Sequence, residues 1–168
     1  MKWKPAQSAA GNAHALLPRM ARKYFEAGRK AIEGDRPPEE LHRFRLETKR
    51  FRYTLELFRP LYGAGMDRYL KSLRQLQGAL GKVSDYAAIR SVLAHDRELK
   101  KHIDGALKGK LKDLRRSWRA FDSPGRLKRW RTYLAGGPSK TAAQRPAKRI
   151  TKKPPAVAGK KALAQAAS

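Results

Sequence analysis

His42, Arg45, Lys49 and Arg52 recur at intervals of three and four residues, the spacing at which side chains line up along one face of a helix. Glu56 falls next in the row and is its only carboxylate. Four groups able to carry positive charge, spaced about one helical turn apart, suit one kind of chemistry. They can hold an extended anion through charge-assisted bonds from guanidinium forks, an ammonium and an imidazolium. Catalysis is a poorer fit. The stripe has no second carboxylate to pair with His42, and the chain shows no phosphate-binding glycine loop and no His pair with metal-ligand spacing.

The helix that positions this row reads LHRFRLETKRFRYTLELF from Leu41 to Phe58. At about 100° per residue, Leu41, Phe44, Thr48, Phe51, Leu55 and Phe58 form an apolar seam interrupted only by Thr48. That seam is expected in the core. Leu46, Tyr53 and Leu57 form a second apolar strip on the far side of the basic row, and Arg43, Glu47, Arg50 and Thr54 complete a polar face. A charged row bracketed by apolar strips is expected in a groove between packed helices, where uncompensated cations call for an anionic ligand. The competing reading is that long Arg and Lys stems run along apolar surface to reach water.

The whole chain shares this charge bias. Of its 168 residues, 40 are Lys or Arg and 14 are Asp or Glu, giving a formal net charge of +26. Such a balance keeps a protein soluble and favours polyanionic partners, whether nucleic acid, inorganic polyphosphate or an anionic membrane surface. There is no cysteine, so disulfides, a thiolate nucleophile and a Cys-based zinc site are excluded. No apolar run approaches the roughly 18 residues of a membrane span, and the first fifteen residues lack a signal-type apolar segment. A cytoplasmic protein is expected.

The remaining elements follow from apolar periodicity and breakers. Residues 1–11 read as a flexible lead-in tethered by Trp3 alone. A first helix is expected from near Asn12 to Ile32, with Pro18 either near its start or bending it. Asp35 as a cap, Pro37 and Pro38, then Glu39 and Glu40 mark the start of the second helix, and PLYGAG its end. A third helix is expected from about Met66 to Leu80, with Gln77 able either to satisfy a group on the second or to reach solvent from the core edge. Gly81 should end it, and Ser84 or Asp85 should cap a fourth helix reaching Ala94. A long helix near Glu98–Phe121 and a short segment carrying Leu127, Trp130, Tyr133 and Leu134 complete an all-α, antiparallel four-helix bundle over residues 12–135. Residues 136–168 hold eight basic residues, four prolines, no acid and no aromatic, and are expected to be a disordered basic tail. Without the tail the chain still has 32 basic against 14 acidic residues.

The second helix, followed by LKSLRQLQGALGKVSDYAAIRSVLA, resembles the CHAD family, the conserved-histidine α-helical domain. The family pattern is a His, an Arg and a Lys/Arg-Arg-x-Arg-Tyr run on one helix, with a Leu-Gly…Asp turn after the next. His42, Arg45, Lys49, Arg50, Arg52 and Tyr53 occupy the first part and Gly81 and Asp85 the second, within a resemblance covering about Leu16 to Trp130. CHAD domains resemble two similar four-helix halves around a basic channel and are associated with inorganic polyphosphate. This chain has one motif helix, so it resembles a half domain, closest to the second half. The resemblance implies polyphosphate-binding roles for the six motif residues, with Arg19, Lys23 and Arg74 as candidates to line the same groove.

The leading expectation is thus a non-catalytic polyphosphate-binding module with no cofactor. A symmetric homodimer could complete a two-half channel, and attachment to polyphosphate granules is the matching location. The alternative is sequence-independent nucleic-acid binding on the nucleoid through the bundle and tail, which would be steeply salt-sensitive. His42 is equally readable as a hydrogen-bonded structural histidine, and His14, His95 and His102 as surface residues.

Overall fold

The structure is a computed structural model that describes residues 3–33, 36–93 and 96–136. Among these residues every regular element is helical. In chain order they are α1 (Ala9–Glu33), α2 (Pro38–Leu57), a single turn α3 (Arg59–Tyr62) running into a 3-10 turn (Gly63–Met66), α4 (Asp67–Val92), α5 (Arg97–Phe121) and α6 (Arg126–Leu134). The expected disordered tail and His95 lie outside the described residues, apart from Gly136 at the tail's first position.

The seam of α2 packs as its periodicity requires. Leu41, Phe44, Thr48, Phe51 and Leu55 are all buried, and α2 lies between α1 and α4. Thr48 interrupts the apolar seam without leaving an orphan: its hydroxyl donates to the Phe44 carbonyl at 2.9 Å and lies 3.1 Å from the Tyr24 hydroxyl of α1. Burial holds the Tyr24 phenol well above its ordinary pKa. Tyr24 also stacks on Phe51 at 4.7 Å, and Phe25 on Phe121 at 5.1 Å. Trp118, Trp130 and Tyr69 extend this aromatic cluster, so α5 and α6 share one core with α1, α2 and α4. The segment around Trp130 folds back as expected, with Trp130, Tyr133 and Leu134 buried.

At Gly28 of α1 the Trp118 indole of α5 packs directly over the helix backbone. A Cβ there would stand 2.1 Å from Cη2 of Trp118, so only glycine admits the indole. Arg29, the next residue, clasps Asp122 at 2.6 and 3.0 Å and fastens the end of α5 to α1.

Four sequence expectations need correction. Gly81 does not end a helix: α4 runs unbroken through Gly78 and Gly81, because Leu73, Leu76, Leu80 and Val83 keep one buried seam across them. That burial outweighs a glycine penalty of about 1 kcal/mol, and Ser84 and Asp85 are mid-helix residues instead of caps. The first helix starts earlier, at Ala9, and carries Pro18 in its interior. Its lead-in is pinned, since buried Asn12 exchanges bonds of 2.9 Å with both the amide and the carbonyl of Lys4, while Trp3 stacks on Phe58. The N-cap of α2 is Pro37, without a side-chain cap; Asp35 lies outside the described residues. Finally, His14 is only partly exposed. It packs edge-on against Tyr62 and lies under Gly136, whereas His102 is exposed as expected.

The turn between α2 and α4 is clamped twice. Arg59 holds Asp67 at 2.7 and 3.0 Å, which keeps that carboxyl below its usual range. The Tyr62 hydroxyl donates to the Leu134 carbonyl and the Tyr133 hydroxyl to the Tyr62 carbonyl, joining α3 to α6. Burial pushes both phenols up to about 12.

Candidate functional site

The basic row on α2 faces α4 at its C-terminal end. Arg52 donates from Nε to Oε1 of Gln77 at 2.9 Å and from Nη1 to Oε1 of Glu56 at 2.6 Å. The same Glu56 oxygen accepts from Nη2 of Arg74 at 3.1 Å. Only 14% of the Arg52 side chain is exposed, and its guanidinium lies 4.3 Å from the centre of the Tyr53 ring. Gln77 therefore does satisfy a group on α2, and one carboxylate serves two guanidinium groups.

The N-terminal part of the row differs. Arg45 and Lys49 are half-buried, His42 is exposed, and none of the three has an acidic partner among the described residues. Nε of Arg45 is shut off from water and has no hydrogen-bond acceptor. The Arg52–Gln77 and Glu56–Arg74 bonds fix antiparallel register between α2 and α4. A Cβ added at Gly78 or Gly81 would meet nothing within 4 Å.

The remaining candidates separate into two groups. Arg74 joins the row through Glu56, but with 61% of its side chain exposed it sits at the edge. Arg50 is exposed on the polar face, where its carbonyl accepts from the Thr54 hydroxyl. Arg19 and Lys23 instead line a separate open cavity of about 360 Å³ with Arg22 of α1 and Arg131 of α6. They flank the α1–α6 contact, and no residue of the α2 row shares that cavity. The expected enclosing groove is also only half present. Leu46, Tyr53 and Leu57 are 40%, 56% and 73% exposed, so the second apolar strip faces outward and the row has one packed wall, α4. Sequence periodicity places residues on a face but does not say whether a neighbouring helix covers it.

The sequence reading did not bring out Arg68, Arg126, Lys128 and Arg129, which gather with Ser72, Tyr69, Trp130, Thr132 and Tyr133 around a cavity of about 690 Å³ between α4 and α6. The signal available was the run RLKRWRTYL, which has four cations and no acid.

A family model described as the CHAD domain matches residues 2–94, more than half of the chain. The chain belongs to the CHAD domain family. The match covers α1, α2 and α4 and is consistent with a partial CHAD domain. It stops short of α5 and α6, to which the sequence resemblance had extended, although those helices complete the same core. Comparison with curated proteins found no match, and comparison with solved structures found none either. No described helix is long and apolar enough to cross a membrane, and the described residues contain no cluster of His, Asp and Glu fit to hold a metal ion.

Proposed function

We propose that this CHAD protein binds inorganic polyphosphate, without turning it over, along the α2 row. The observation that carries the reading is the contrast within that row. Arg52 is neutralised by Glu56 and hydrogen-bonded to Gln77, whereas Arg45 and Lys49 are half-buried with no acidic partner among the described residues, and Nε of Arg45 has no acceptor. A linear phosphate chain offers a negative charge at each unit, and Arg forks bind phosphoryl oxygens bidentately. His42 would add a donor at the exposed end and Arg74 a cation at the edge.

A chain lying along this row contacts one packed wall. A second copy placed across the exposed strip Leu46, Tyr53 and Leu57 would supply the other, giving the two-half channel as a homodimer. Light scattering with polyphosphate at low salt tests this, and a strictly monomeric mass would refute it. Association with granules is the cellular counterpart of the same reading.

Competition tests the ligand class. With labelled duplex DNA bound to the full chain, polyphosphate of equal charge concentration should displace it, and excess DNA should not displace labelled polyphosphate. Equal displacement in both directions would favour a sequence-independent nucleic-acid binder.

A further inference from the structure

We propose that the cavity between α4 and α6 is a second, separate site that binds a nucleoside triphosphate. It involves other residues than the α2 row and stands whether or not that row takes polyphosphate.

Two observations carry the assignment. The first is charge without compensation. Arg68, Arg126, Lys128 and Arg129 border the cavity and no carboxylate does. The partners that three of these cations have are neutral. Arg126 donates to the Ser72 hydroxyl at 3.0 Å, Arg129 reaches the Pro124 carbonyl at 3.5 Å, and Arg68 contacts the Tyr69 hydroxyl at 3.2 Å. The nearby carboxylate of Asp67 is already held by both arms of Arg59. Four cations around one concavity therefore match a group of three or four negative charges, and a triphosphate has that charge.

The second observation is the shape and chemistry of the wall. Phosphate alone needs no apolar surface, yet Tyr69, Trp130 and Tyr133, nearly buried themselves, back this cavity beneath Arg68. The guanidinium of Arg68 lies 4.9 Å from the centre of the Tyr69 ring and 5.6 Å from that of Tyr133, while the residue itself is exposed. A planar guanidinium resting on aromatic rings presents its outer face to a second flat group, and nucleobases stack on arginine planes in this way. The volume of about 690 Å³ falls in the usual range for small-ligand sites. An aromatic body joined to a triphosphate satisfies both halves of the wall; an inorganic phosphate chain satisfies one.

The test uses the full chain, adenosine triphosphate and inorganic tripolyphosphate, titrated by calorimetry. Adenosine triphosphate should bind saturably at one per chain, in the unaltered protein and in one lacking the α2 cations Arg45 and Lys49 alike. The double variant Lys128→Ala, Arg129→Ala, both exposed positions, and the single variant Arg68→Ala should each weaken it by about tenfold or more, whereas Arg45→Ala with Lys49→Ala should leave it unchanged. Tripolyphosphate should bind this site several-fold more weakly. In the unaltered protein, ring-proton NMR signals of Tyr69 and Tyr133 should shift on adenosine triphosphate addition, a readout that needs no variant to fold. Non-saturable binding, equal affinity for the two probes, insensitivity to the cavity variants, loss in the α2 variant, or unmoved tyrosine signals would overturn the assignment.

Discussion

Glu56→Gln is the perturbation that most sharply separates charge from scaffold in the α2 row. The Glu56 carboxylate oxygen receives Arg52 at 2.6 Å and Arg74 at 3.1 Å, so it neutralises cations that would otherwise face a bound phosphate chain. Removing a unit negative charge one to two helical turns, about 5–11 Å, from bound phosphate contributes about 0.4–0.8 kcal/mol at the dielectric of water. Polyphosphate affinity should therefore rise about two- to fourfold, measured at low ionic strength because salt screens charges beyond about 8–10 Å. Stability should move the other way. The Arg52 side chain is 14% exposed and that of Glu56 28%, so the pair is worth more than a surface contact, and its loss should cost about 1 kcal/mol in urea unfolding. Paired calorimetry and denaturation on the same sample give both signs. Affinity that falls together with stability would mean that Glu56 acts by positioning Arg52 and not by cancelling its charge.

Other substitutions probe the frame that holds the row. Thr48→Val leaves the buried Tyr24 hydroxyl without its partner and should cost about 1–3 kcal/mol, while Tyr24→Phe added to it should recover part of that loss in the same denaturation assay. Gly28→Ala drives a Cβ into the Trp118 ring and should lower stability by about 1–3 kcal/mol or more, visible as a fall in Tm. Gly81→Ala should do the opposite and raise stability by about 0.5–1 kcal/mol, because its Cβ meets open space inside a continuous helix.

Much of this frame was legible before the fold. The seam from Leu41 to Leu55 predicts its own burial, since a 3.6-residue period leaves little choice of face once five apolar or near-apolar positions align. The Gln77 bond to α2 was one of two readings of its place at the α4 seam, the other being a glutamine that reaches solvent. Breakers were less reliable. Gly81 reads as a stop by local propensity, yet Leu80 and Val83 on either side decide the matter through tertiary burial. The second apolar strip misled for a related reason: periodicity groups Leu46, Tyr53 and Leu57 but does not provide a helix to cover them. Arg19 and Lys23 share a face with the α1 seam, and which neighbour that face meets depends on α6, whose docking beside α1 is set by long-range aromatic contacts such as Phe25 with Trp130. The row's chemistry was visible in residue types; its division into a neutralised half and an open half was not, because that depends on Arg74 and Gln77 from another helix.

Polyphosphate affinity of the full chain against the double change Arg45→Ala, Lys49→Ala, by calorimetry near physiological salt with duplex DNA as comparator, decides whether α2 carries a specific site. Polyphosphate binding should weaken by about tenfold or more while weak DNA binding changes by less than about twofold. Equal, modest losses for both ligands would contradict a specific site on α2 and leave net charge as the sole basis of polyanion binding.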